Sequence, residues 1–139
     1  MAAPRTTVRQ SPTDTHRLFF DFDPAAPGGK GGASVRIDPG KQMASIDGVH
    51  KNNNLPSRST GELLAEGLWQ TVLPKPAILE GYNVEKSTAA VLAAGGSGQG
   101  TLIGNMLEDA ATALGGAVGR WESVRDGNIW HLRAHVSYP

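Results

Sequence analysis

The stretch Val118-Gly-Arg-Trp-Glu-Ser-Val-Arg-Asp-Gly-Asn-Ile-Trp-His-Leu-Arg-Ala-His-Val-Ser-Tyr138 decides the fold class. Two strand-like runs, Val118 to Arg125 and Ile129 to Tyr138, flank Asp126-Gly127-Asn128. Asp-Gly favours the turn geometry that folds one strand back on the next, so a C-terminal β-hairpin is predicted. Immediately upstream, Leu102, Ile103, Met106, Leu107, Ala110 and Leu114 recur at helical spacing, and Gly115-Gly116 closes that helix. A second helical segment, residues 85 to 94, precedes it, and a third runs from about Thr60 to Gln70 on Leu63, Leu64 and Leu68, stopped by Pro74 and Pro76. Strands are expected at 16–22, 33–37, 43–46 and 77–84, with turns at Asp38-Pro-Gly40 and Asp47-Gly48. The result is an α+β domain: an antiparallel sheet with a C-terminal hairpin, packed against two or three helices. Residues 1–15 read as a flexible arm and 16–139 as the single domain.

A chain of 139 residues is long enough to bury one substantial core. Cysteine is absent, which excludes disulfides, thiolate catalysis and cysteine-ligated zinc. Chemistry must therefore run on His, Lys, Arg, Ser or carboxylates. No apolar run approaches the roughly 20 residues of a membrane helix, and no signal-peptide core precedes His16, so no membrane partner is expected. Export would use another delivery system or a longer precursor. Net charge is zero but unevenly spread: residues 30–58 carry five basic and two acidic side chains, and 59–118 two basic and six acidic. A basic stretch beside an acidic one permits a phosphate-facing surface on a neutral protein.

Several motifs carry little. Gly95-Gly-Ser-Gly-Gln-Gly100 resembles the phosphate-cradling turn of sugar-nucleotidyltransferases, but it has no lysine and reads best as a linker between helices. It keeps open the alternative of a nucleotide- or NAD-using toxin enzyme. His131 and His135 share one strand face roughly 13 Å apart, too far to ligate one ion together. Neither a metal site nor any other cofactor is expected. No serine sits in a nucleophile elbow.

Residues Arg36 to Thr60 differ, since they gather cations, a histidine, amides and hydroxyls where no core can form. Pro39-Gly-Lys-Gln42, His50 with Asn52-Asn-Asn54, and Ser57-Arg-Ser-Thr60 before Leu63-Leu64 resemble the polymorphic toxin type 50 domain. That domain occurs at the C-termini of secreted bacterial toxins and in phage head proteins. The likeness covers about 30 residues and has departures: Ala44-Ser45 stands where the family has Lys-His, and Ser57 where it has glycine. The resemblance implies a barnase–EndoU–RelE-like ribonuclease, RNA as partner and a dedicated immunity protein. It further implies metal-independent cleavage by the 2′-OH, needing a base, an acid and cations on the phosphorane. On that reading His50 and His135 form the acid–base pair, their order left open. Lys41 and Arg58 hold the phosphate, and Gln42, Asn53, Ser59, Thr60 and His131 contact the substrate. A non-catalytic phage or secretion-system module is the alternative from another class.

Overall fold

The computed structural model describes residues 5–22, 31–50 and 57–139. Seven strands form one sheet in the order β1-β2-β3-β4-β5-β7-β6: β1 (Thr6–Gln10), β2 (Arg17–Phe22), β3 (Gly31–Asp38), β4 (Met43–His50), β5 (Ile78–Gly81), β6 (Ala117–Asp126) and β7 (Ile129–Ser137). Every neighbouring pair is antiparallel except β4–β5, which the helix α1 (Ser57–Leu68) connects as a parallel crossover. Helices α2 (Lys86–Ala93) and α3 (Leu102–Ala113) follow β5. The α+β class, the three helices and the C-terminal hairpin are therefore as the sequence predicts.

Alternation along the strands separates two faces. Phe20, Val35, Ile46, Leu79 and Leu132 point to one side and are buried with Leu63, Leu64 and Leu68 of α1 and Leu107 of α3. That side is the core. Gly61 lets α1 lie directly on α3, because a methyl group there would meet Asp109 Cβ at 2.6 Å and the Ala110 nitrogen at 2.8 Å. Among the described residues the opposite face has no helix contributing to the buried core and carries polar side chains instead, which places the candidate site there.

Three expectations need correction. Residues 6–10 are an edge strand and not part of an arm. With one apolar residue, Val8, the segment has no local signal, and its anchors lie far away in sequence. Arg5 Nε donates to Glu66 Oε1 at 2.8 Å, Thr6 Oγ1 to the Leu63 carbonyl at 2.7 Å, and Gln70 Nε2 to the Thr6 carbonyl at 2.7 Å. Asp47-Gly48 is not a turn: β4 runs through it to His50, and Asp47 is the extra residue of a β-bulge between the Val35–Ile46 and Ser34–Gly48 pairs. Finally, α1 begins at Ser57, three residues before the expected start, so Thr60 is a buried residue inside its first turn.

Candidate functional site on the open face of the sheet

Pairing registers bring one polar row straight across the open face. Arg17 lies opposite Arg36, Arg36 opposite Ser45, Ser45 opposite Glu80, Glu80 opposite Arg133, and Arg133 opposite Glu122. At about 4.8 Å per strand the row spans roughly 24 Å. Its centre is Glu80, on the short strand β5 and only 3% exposed. One carboxylate oxygen accepts from Ser45 Oγ at 2.7 Å and the other from Arg133 Nε at 2.7 Å. A buried charge needs such partners, and each oxygen still keeps accepting capacity for a further donor.

Beside this row stands His131, 4% exposed, its ring stacked on Tyr82 with centroids 4.1 Å apart. Asn83 has left-handed backbone (φ 52°), which asparagine tolerates better than most residues, and so turns its N–H onto His131 Nδ1 at 2.9 Å. An Nδ1 that accepts a hydrogen bond leaves the neutral ring with its proton on Nε2. That nitrogen lies 3.6 Å from the exposed Asp126 carboxylate, beyond hydrogen-bond distance. His131 is thereby fixed as a hydrogen-bond donor.

These groups line a groove of about 580 Å³ whose rim includes His16, Arg36, Lys41 and Arg125. Arg36 is held by Asp14 at 2.8 Å, and Asp14 is in turn kept below the usual carboxylate range, chiefly by the His16 backbone N–H. Lys41 has no side-chain partner among the described residues, and neither has the His16 ring. The basic side chains of Arg36, Lys41, Arg125 and Arg133 outnumber Asp38, Glu80 and Asp126 around the groove. A carboxylate, a fixed imidazole donor and several cations around one cavity form a set suited to phosphate chemistry. No group of three or more His, Asp or Glu side chains poised to hold a metal ion occurs among the described residues.

The residues singled out from sequence scatter around this groove. Lys41 and His131 line it. Gln42 occupies the same turn as Lys41, its amide donating to the Pro39 carbonyl at 3.0 Å. His135 is on the open face one row along. Its Nε2 is 2.8 Å from Glu122, whose carboxyl is held low mainly by that hydrogen bond, with Arg133 and Arg120 assisting. His50 and His135 do not form a pair. Ile78 pairs with both Met43 and His135, which sets His135 level with the start of β4, and His50 ends that strand roughly 20 Å away. Thr60 is buried on the helix side of the sheet, away from the groove. Arg58 and Ser59 begin α1, with side chains outside the described part, and Asn53 lies outside the described residues altogether.

The glycine loop joins α2 to α3, helix to helix, and so lacks the preceding strand of a nucleotide cradle. Thr101 Oγ1 already accepts the Gly104 N–H at the start of α3. Gly98 is needed for packing, since a side chain there would run into Leu132.

Sequence reasoning missed Glu80, Arg133, Arg36, Ser45 and Tyr82. A charge inside the apolar run Ile78-Leu79-Glu80-Gly81 was the available signal. Compared with family models, curated proteins and solved structures, the chain matches none.

Proposed function

We propose that this protein is an endoribonuclease of toxin type, cleaving RNA by attack of the 2′-OH on the adjacent phosphate within the open-face groove. The observation that carries the reading is Glu80, a buried carboxylate facing a groove rimmed by cations. Glu80 takes the 2′-OH proton as general base. Arg133, Arg36 and Lys41 offset charge on the pentavalent phosphorane, and His131 Nε2–H donates to one of its oxygens. His16, the rim imidazole with no ring partner among the described residues, gives its proton to the departing 5′-oxygen. The products are a 2′,3′-cyclic phosphate and a 5′-hydroxyl.

The family resemblance gains a physical point from the register. Ala44 is fully buried on the core side, whereas Ser45 faces the groove and donates to Glu80. The histidine of the family's Lys-His pattern would thus fall on the groove side, and Ser45 holds that place here.

The test is incubation of the chain with labelled RNA in EDTA, beside Glu80→Gln, His131→Gln, His16→Ala, His50→Ala and His135→Ala. Cyclic phosphate ends that disappear in the first three variants and persist in His50→Ala support the assignment. Cleavage lost only in His50→Ala and His135→Ala would return the chemistry to the pair that the motif implies. Intact RNA that binds with steep salt dependence would favour a non-catalytic module.

A further inference from the structure

Strand β6 ends the sheet, and its outer side pairs with no strand among the described residues. It is ten residues long, twice the length of the other edge strand β1, and none of its residues is buried. β1 is tied to α1 through Arg5 and Thr6, whereas nothing comparable covers β6 among the described residues. Open edges are usually blunted by lysine, proline or a bulge. β6 has neither lysine nor proline, and its bulge lies between Val118 and Arg120, so Arg120 to Asp126 run in unbroken register. Such a stretch is a template for another strand.

The charges on that stretch select its partner. Two copies paired antiparallel about a two-fold axis on Ser123 set Arg120 opposite Asp126 of the second copy, and Trp121 opposite Arg125 of the second copy. The first contact is an ion pair and the second a cation over an aromatic ring, and symmetry makes each of them twice. Ser123, small and exposed, meets itself at the axis. An axis on Glu122 sets that carboxylate against itself, one on Val124 sets Glu122 against Asp126, and one on Trp121 draws the bulge into the ladder. Of these, the Ser123 register alone avoids both like charges and the bulge. The cations it uses are available. Among the described residues Arg120 meets His135, Arg125 meets the Gly127 carbonyl and the Trp130 ring, and neither has a carboxylate within ion-pair distance. We infer that the protein forms a two-fold dimer through β6, centred on Ser123, which joins two seven-stranded sheets into one. Asp126 lines the groove, so Arg120 of the second copy adds a cation to its rim. The dimer stands independently of the ribonuclease reading.

Seven paired residues span roughly 24 Å, a small interface, so a dissociation constant of about 1–100 µM is expected. Sedimentation equilibrium of the whole chain, carried well above that range, should show monomer and dimer in exchange. Ser123→Lys sets two like charges at the axis and should weaken association about tenfold or more with Tm unchanged. Arg120→Asp and Asp126→Arg should each weaken it similarly, and the two combined should restore it. The chain has no cysteine, so Ser123→Cys gives one thiol per copy. Opposed residues of an antiparallel pair have Cα atoms about 4.5–5.5 Å apart, within disulfide reach, whereas position 125 stands roughly 13 Å from its equivalent. Oxidised glutathione should therefore cross-link Ser123→Cys readily and Arg125→Cys hardly at all. A chain that stays monomeric would leave this edge to some other strand and overturn the inference. Equal cross-linking at both positions, or a dimer that survives Ser123→Lys, would overturn it as well.

Discussion

Glu80→Gln separates a working carboxylate from a structural one, and its size can be worked out beforehand. The amide has the shape of the acid, so the substituted side chain can still face Ser45 and Arg133. Its oxygen accepts from Arg133, and the Ser45 hydroxyl rotates to accept from its nitrogen, so no donor is orphaned. What disappears is the carboxylate's charge: the Ser45 bond becomes neutral, while the one from Arg133 stays charge-assisted through the guanidinium, both now at 2.7 Å. Charged hydrogen bonds contribute about 1.5–3 kcal/mol and neutral ones about 0.5–1.5, so the loss is about 1–2 kcal/mol. An unfolding entropy near 2.1 cal/mol/K per residue gives about 0.3 kcal/mol/K for this chain, hence a fall in Tm of about 3–7 °C. Loss of a general base removes about two to four orders of magnitude in rate, measured well below that Tm. Differential scanning calorimetry and single-turnover cleavage of a labelled oligonucleotide read the two effects separately. The companion double variant Glu80→Met, Arg133→Met replaces the whole pair with apolar groups, which is often neutral or stabilising, and should be folded but inert. A Glu80→Gln protein that loses stability by this amount yet cleaves within tenfold of the parent would refute the base assignment.

Three further outcomes concern the groove and the helices. If Arg36 and Lys41 meet phosphate, Arg36→Gln and Lys41→Gln each reduce the slope of log affinity against log salt by about 0.7 for single-stranded RNA, measured by filter binding. Glu85 caps α2: burial raises its pKa, but the hydrogen bonds from Ser87 and Thr88 outweigh that and hold it below 4.5. Because the folded-state pKa is depressed, Glu85→Ala should cost about 1 kcal/mol above pH 4.5, and the difference should vanish as pH falls through the lowered value, as seen in Tm against pH. Gly61→Ala forces a methyl group against the Asp109–Ala110 backbone, and urea denaturation should show a loss of about 1–3 kcal/mol with the m-value unchanged.

Helices α2 and α3 and the β6–β7 hairpin were legible because glycine and proline punctuate them and their apolar periods are local. Strand β1 was not, since Thr6 and Arg5 are held by α1 residues about 60 positions away. The site was legible in its members more than in its plan. His131 and Lys41 stood out as reactive side chains in polar surroundings. Glu80 did not, because a single carboxylate in Ile78-Leu79-Glu80-Gly81 acquires meaning only when β4 and β7 are known to flank β5. No periodicity within one segment encodes that order. The His50–His135 pairing failed for the same reason: motif order suggests proximity, and strand register decides it. The role of His131 depends on a backbone N–H at Asn83, which residue type alone does not specify.

The single parallel strand has a consequence for how the sheet can come apart. Strands β1 to β4 form one antiparallel leaf and β6–β7 another, and the four residues of β5 are the seam between them. Ser45 belongs to the first leaf and Arg133 to the second, and each grips one oxygen of the same seam residue. The leaves cannot part without stripping Glu80 of a partner, so the charge cluster acts as a latch between them. Amide exchange in β5 should therefore report opening of that seam at a lower free energy than exchange in the interior of either leaf.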